Sequence, residues 1–162
     1  MLKGPSQATP LQRCTTVLRR EFNHTTTHAM NLSIEYIDHI VLNVMDVEVS
    51  AAWYVRALGI QRIDFETPTG LRVALQFGNQ KINLRPADAD TVTWFTGLAP
   101  VPGSADLCFV TKLNPETVKA HWVAQGIELE AGPVERAGAR GPMTSVYCRD
   151  PDGNLIEVAT YP

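Results

Sequence analysis

One carboxylate in this sequence lies among unusually apolar neighbours. Glu157 falls in NLIEVATY, a β-branched stretch that reads as a buried strand. A carboxylate taken out of water is costly unless something neutralises it or hydrogen-bonds to it, so the position demands a partner. His39 in YIDHIVLNV and Asp106 in ADLCFVT are similarly placed, as ionisable groups in strand-like patterns. Asn83 and Arg85 in QKINLR are two apart and therefore share one face of a strand. An imidazole, two carboxylates, an amide and a guanidinium brought together can move protons and orient an oxygenated ligand.

The elements that must position these groups come in two matching sets. YIDHIVLNV alternates Ile40, Leu42 and Val44 on one face with Ile37, His39, Val41 and Asn43 on the other. DVEVSAAWYVRALG has Val49, Ala52, Trp53 and Leu58 at helical spacing, with Gly59 as a stop. The strands QRIDFE, LRVALQFG and QKINLR follow, separated by Pro-Thr-Gly and Gly-Asn turns. A Pro- and Gly-containing linker, ADADTVTWFTGLAPVPGS, then resets the order. ADLCFVT is a strand, and Asn114 and Pro115 form the N-cap and first position of a helix ending at Gly126. IELEAG, MTSVYCR and NLIEVATY complete the second set, the last after the Asp-Pro-Asp-Gly turn.

The fold class expected is α+β. Two βαβββ modules, about residues 36–86 and 104–161, form a curved, cup-shaped mixed sheet with helices on its convex face. In that arrangement His39 and Asp106 occupy equivalent first strands. Glu157 and the Asn83/Arg85 pair occupy equivalent last strands, so four strands direct polar groups to the concave side.

Composition limits the partners. The chain has 162 residues, 44% hydrophobic and 19% charged, which suits one domain able to bury a core. The net charge of −3 divides unevenly. Residues 1–33 carry Lys3, Arg13, Arg19 and Arg20 against Glu21, leaving ten basic and sixteen acidic residues beyond. An acidic body without a basic stripe argues against nucleic acid as a partner, and no apolar run reaches the ~20 residues of a membrane helix. Cys14, Cys108 and Cys148 read as reduced thiols of a cytoplasmic protein. Residues 1–33 read as a flexible extension and residues 34–162 as the domain. The Arg- and Thr-rich extension has some features of an organelle-targeting peptide, and Met30 is an alternative start.

The segments DHIVLNV, AAWYVRALG, FGNQKINLR, PVPGSADLCF, GPVERAGARGPM and YCRDPDGNLIEV together resemble the vicinal oxygen chelate superfamily of glyoxalases, bleomycin-resistance proteins and extradiol dioxygenases. The resemblance covers residues 36–161 and is greatest to small glyoxalase-domain-containing proteins. It implies a divalent metal (Zn, Ni, Mn, Fe or Mg) at the cup centre, with His39 matching the first-strand histidine and Glu157 the last-strand carboxylate. Glu157 would then also act as the catalytic proton shuttle. Asp106 either completes the metal set, orients His39, pairs with Arg85 or caps a turn. Where close relatives carry a second histidine this chain has Arg85, which has donors only. Arg85 therefore either binds an anionic substrate directly or merely ends its strand. In ERAGARGPM, Arg140 sits between glycines, either on a mobile lid contacting substrate or in a plain hairpin.

The expected function is a metal-dependent lyase or isomerase of glyoxalase type on a small oxygenated substrate. The alternatives are an Fe or Mn dioxygenase, or a non-enzymatic small-molecule binding protein such as those conferring antibiotic tolerance. The resemblance also implies a homodimer.

Overall fold

The computed structural model describes residues 32–162; the readings placed on Cys14, Met30 and the extension as far as residue 31 lie outside the described residues. Short-range signals fix both helices. Ahead of α1 (Val47–Leu58) the Asp46 carboxylate accepts hydrogen bonds from the Glu48 and Val49 amides, and Gly59 closes the helix at φ 64°. Asn114 caps α2 (Pro115–Ala124) through the Glu116 amide, and Pro115 opens it where no amide hydrogen is needed.

The strands are β1 (His39–Val44), β2 (Gln61–Thr67), β3 (Gly70–Phe77), β4 (Gln80–Pro86), β5 (Asp106–Val110), β6 (Leu129–Gly138), β7 (Gly141–Arg149) and β8 (Leu155–Thr160). They form two four-stranded mixed sheets, ordered β1-β4-β3-β2 and β5-β8-β7-β6, so the two βαβββ modules follow one plan. In each, the first strand runs parallel to the last and the remaining pairs are antiparallel.

Alternation along the strands divides every sheet into two faces. Leu42, Val44, Val73, Leu75, Ile82 and Leu84 are buried beneath α1, from which Ala51, Trp53, Tyr54 and Ala57 pack down. Val146, Cys148, Ile156 and Val158 form the equivalent layer with Val118 and Trp122 of α2. Both layers belong to one core, and Phe77 and Phe109 meet edge to face at 5.4 Å where the modules join.

Polar contacts fasten the modules together as well. Trp122 donates its indole hydrogen to the Ala57 carbonyl at 2.9 Å, carrying α2 onto the end of α1. The Asp-Pro-Asp-Gly turn does more than reverse the chain. Asp150 accepts from the Tyr54 hydroxyl at 2.9 Å and from both the backbone and side-chain amides of Asn154 at 2.8 Å. Asp152 accepts from the Met45 amide at 2.9 Å and from the Ser50 hydroxyl at 3.3 Å. Tyr54 ionisation is pushed well above its ordinary range, first by burial and then by the Asp150 charge.

The sixth strand differs from its sequence reading. Beyond the expected strand IELEAG, pairing with β7 continues through ERAG as far as Gly138 opposite Gly141, which is the plain-hairpin alternative in extended form. Register shifts around Gly132 and Pro133 let a proline, which has no amide hydrogen, sit within the strand. Beyond them Val134, Glu135 and Arg136 take regular partners, leaving only Ala139 and Arg140 to turn the chain. The stretch is thus a tight hairpin.

Candidate functional site

The faces turned away from the helices carry the polar side chains singled out above. On β1, His39, Val41 and Asn43 stand opposite Lys81, Asn83 and Arg85 of β4. On β5, Asp106 and Cys108 stand opposite Leu155 and Glu157 of β8, and Tyr147 of β7 flanks Glu157 on its other side.

His39 is at the open start of its strand, half exposed, with Nδ1 2.6 Å from the Asp38 carboxylate. That neighbour fixes the ring and leaves Nε2 available. A cavity of about 440 Å³ between β1 and β5 brings His39 together with Asp106. Lys81, Cys108, Phe77 and Phe109 also line it. Glu157 is not among the lining residues but adjoins Cys108, which is.

Glu157 is 8% exposed, and its Oε1 finds no hydrogen-bond partner among the described residues. The Cys108 thiol is pushed up to about 12, by desolvation and then by the Glu157 carboxylate beside it. The Tyr147 hydroxyl is raised too, by burial first and then by the neighbouring Glu157 carboxylate, while Arg136 donates to the same hydroxyl at 3.1 Å. Glu157 therefore sits behind a protonated thiol and a protonated phenol, with one oxygen still unengaged.

Arg85 is completely buried. Its guanidinium donates to the Trp94 and Pro86 carbonyls at 3.3 and 3.2 Å, to the Ala89 carbonyl at 2.5 Å and to the Asn43 side chain at 3.1 Å. These bonds tie the start of the inter-module linker down to the sheet. Arg140, on the β6–β7 turn, stacks over the Tyr161 ring at 4.1 Å and is not among the residues lining the His39 cavity.

Among the described residues of one chain, no three His, Cys, Asp or Glu side chains approach closely enough to hold a metal ion. His39, Asp106 and Glu157 thus do not come together as a metal-binding set within a single copy. Among the described residues Glu157 Oε1, Asn83 Oδ1 and Ser145 Oγ are buried without a hydrogen-bond partner, and of these only Glu157 Oε1 belongs to an ionisable group.

Alternation in ADLCFVT puts Cys108 on the face of Asp106, and Tyr147 is an aromatic the sequence makes available to a cavity, but their position beside Glu157 depends on the strand pairing. Lys81 carries no comparable signal in the sequence.

With this geometry in place, comparison with known proteins is decisive about kinship. The Glyoxalase/Bleomycin resistance protein/Dioxygenase superfamily matches residues 36–158, and the chain belongs to it. It is 41% identical to virulence protein STM3117 of Salmonella typhimurium over 133 residues, covering 82% of this chain and 89% of that one. It is also 41% identical to the glyoxalase domain-containing protein RDO1 of Mycosarcoma maydis over 130 residues, 80% of this chain and 70% of the other. An integron cassette protein from the mobile metagenome of V. cholerae superimposes with a TM-score of 0.75 at 41% identity, covering 81% of this chain and 98% of its own. A lactoylglutathione lyase from Agrobacterium tumefaciens and an antibiotic-binding protein from a Streptomyces share the fold alone, at 23% and 20% identity. The superfamily's description names glyoxalases, bleomycin resistance proteins and dioxygenases. Among the described residues no helix is long and apolar enough to cross a membrane.

Proposed function

We propose that this protein is a glyoxalase-type lyase or isomerase acting on a small oxygenated molecule, with Glu157 as the proton-transferring carboxylate. The observation that carries the reading is the unengaged, buried Oε1 of Glu157 on the face away from the helices. A carboxylate held out of water with a free oxygen is poised to take a proton from a bound carbon acid and return it elsewhere on the substrate. Tyr147 and Cys108, both kept protonated, flank the transfer and can donate hydrogen bonds to developing oxyanion charge. His39, with its Asp38 partner, and Asp106 contribute from the neighbouring cavity.

Metal assistance belongs to this proposal at the level of the assembled protein. His39, Asp106 and Glu157 would join as ligands only if a second copy brought them together, and a homodimer is proposed on that basis. A bound ion would polarise a substrate oxygen.

The test is proton exchange. Purified protein is incubated in D2O with a panel of hemithioacetals and α-hydroxyketones, and loss of the reacting C–H signal is followed by NMR. Exchange that disappears in Glu157→Gln supports the reading. Metal content measured on the same sample, in wild type, His39→Ala and Glu157→Ala, decides whether an ion takes part.

The absence of a three-ligand set in one chain favours a second reading, a metal-free binder of small molecules. Saturable ligand binding with neither metal nor exchange would establish it in place of the first.

A further inference from the structure

The face of the first sheet turned away from α1 is cationic. Arg72 of β3 and Lys81 and Arg85 of β4 all point from it, as alternation with the buried Val73, Ile82 and Leu84 requires. None of the three has a carboxylate within ion-pair distance among the described residues, whose ion pairs all lie elsewhere. Asp90, the acid that senses Arg85, has its carboxylate taken up chiefly by Thr93 and Val92.

The three cations differ in how their donors are spent. Arg85 is fully buried and occupied by carbonyls, so it supplies charge but not reach. Arg72 is only partly buried, and its one acceptor is the Thr69 hydroxyl at 2.6 Å. Its guanidinium lies over the Trp94 ring, Cζ 3.2 Å from the centroid, with Arg85 at 5.7 Å from the same ring. Stacking of this kind orients a guanidinium while leaving its edge free to bind. Lys81 reaches across the sheet to the Phe65 ring, 5.0 Å from the centroid, and Phe65 pairs directly with Arg72. Between them lies Ala74, 1% exposed, opposite Asn83 with its buried, unpartnered Oδ1.

Positive groups brought together without a counter-charge repel one another and destabilise the folded chain. The proximity of Arg85 and desolvation both weaken the hold of Arg72 on its proton, desolvation more so. An anion relieves that repulsion, and a low-dielectric wall such as Trp94 strengthens the attraction.

We propose that this face is the specificity site for the substrate, binding an oxyanion, carboxylate or phosphate, carried on an aromatic or otherwise apolar body. The free edge of Arg72 takes the oxyanion, Lys81 provides the second contact, and Phe65 and Trp94 hold the apolar part. The inference rests on the proposed function only in naming the substrate class; the binding itself needs no turnover.

The test uses the full chain and three probes: phenyl phosphate, benzoate and inorganic phosphate. Trp53 and Trp122 are 7% and 0% exposed, so a probe-dependent change in indole fluorescence reports Trp94. Saturable binding of phenyl phosphate or benzoate, tighter than inorganic phosphate, is expected, and the tighter of the two names the oxyanion. Arg72→Met is expected to weaken it at least tenfold and Lys81→Met severalfold, while Arg72→Lys recovers part of the loss. Arg62→Met, which removes a cation paired with Glu48, is expected to bind as wild type does. No saturable response to any probe, or wild-type binding by Arg72→Met, overturns the inference. So does a loss in Arg62→Met equal to that in Arg72→Met. None of these outcomes alters the proton-exchange result at Glu157, so the two readings fail separately.

Discussion

Cys108 and Glu157 stand directly opposite each other on parallel strands, thiol beside carboxylate on one face of the second sheet. The carboxylate opposes formation of a second negative charge, adding to the desolvation that already favours the thiol. An ordinary cysteine ionises near ~8.5, whereas this one is held to about 12. Although Cys108 is exposed, its alkylation at pH 8 is therefore expected to be slow. Glu157→Gln should speed it severalfold, read by peptide mapping after iodoacetamide. An unchanged rate would show that the two side chains do not interact.

Arg85 is expected to be a large contributor to stability. Arg85→Ala abandons three carbonyls and the Asn43 side chain in a buried place, at a cost of roughly 2–4 kcal/mol. Because those carbonyls belong to residues 86–94, the variant should also be cut faster by protease in that segment, which gel mapping would locate.

Gly103 explains why PVPGS precedes the fifth strand. It has φ 78°, and a Cβ there would collide with the backbone oxygen of Asp152. Gly103→Ala is expected to lower stability by at least about 1–2 kcal/mol, measured by urea unfolding, whereas alanine at Gly97, which meets nothing nearby, should change little.

The acid limb of the stability curve has an identifiable contributor. Arg149 hydrogen-bonds Glu130 and holds its carboxyl below the usual range. The lowered value means that the pair's stabilisation is complete above the ordinary carboxylate pKa and disappears as pH falls through the folded-state value. Thermal unfolding of wild type and Arg149→Met should therefore differ more at pH 7 than at pH 3. Both groups are solvent-exposed, so the difference will be small.

Periodicity and capping carried most of the fold in the sequence. Asn114-Pro115 and Gly59 mark helix ends through local chemistry, and alternation in YIDHIVLNV places His39 on the face away from the core. These signals are short-range and survive any tertiary context. The extension of the sixth strand was not legible, because Gly132 and Pro133 are ordinary loop signals unless a bulge absorbs them. The cationic face was also hidden. Arg72, Lys81 and Trp94 are distant in sequence, and only strand register and the return of the linker bring them together. Nor did the sequence reveal that Arg85 would spend its donors on backbone carbonyls, since those acceptors carry no residue signature.

Asp150 and Asp152 sit in a turn of the second module while gripping Tyr54, Ser50 and Met45 of the first. Tyr54→Phe should consequently weaken the whole domain by about 1–2 kcal/mol, with a single melting transition displaced and not split. A chain severed in the linker would leave each fragment with half a fastening, so an architecture that looks duplicated behaves as one inseparable piece. Recombination that trades one half for a foreign counterpart must carry over both sides of that seam to yield a folded protein.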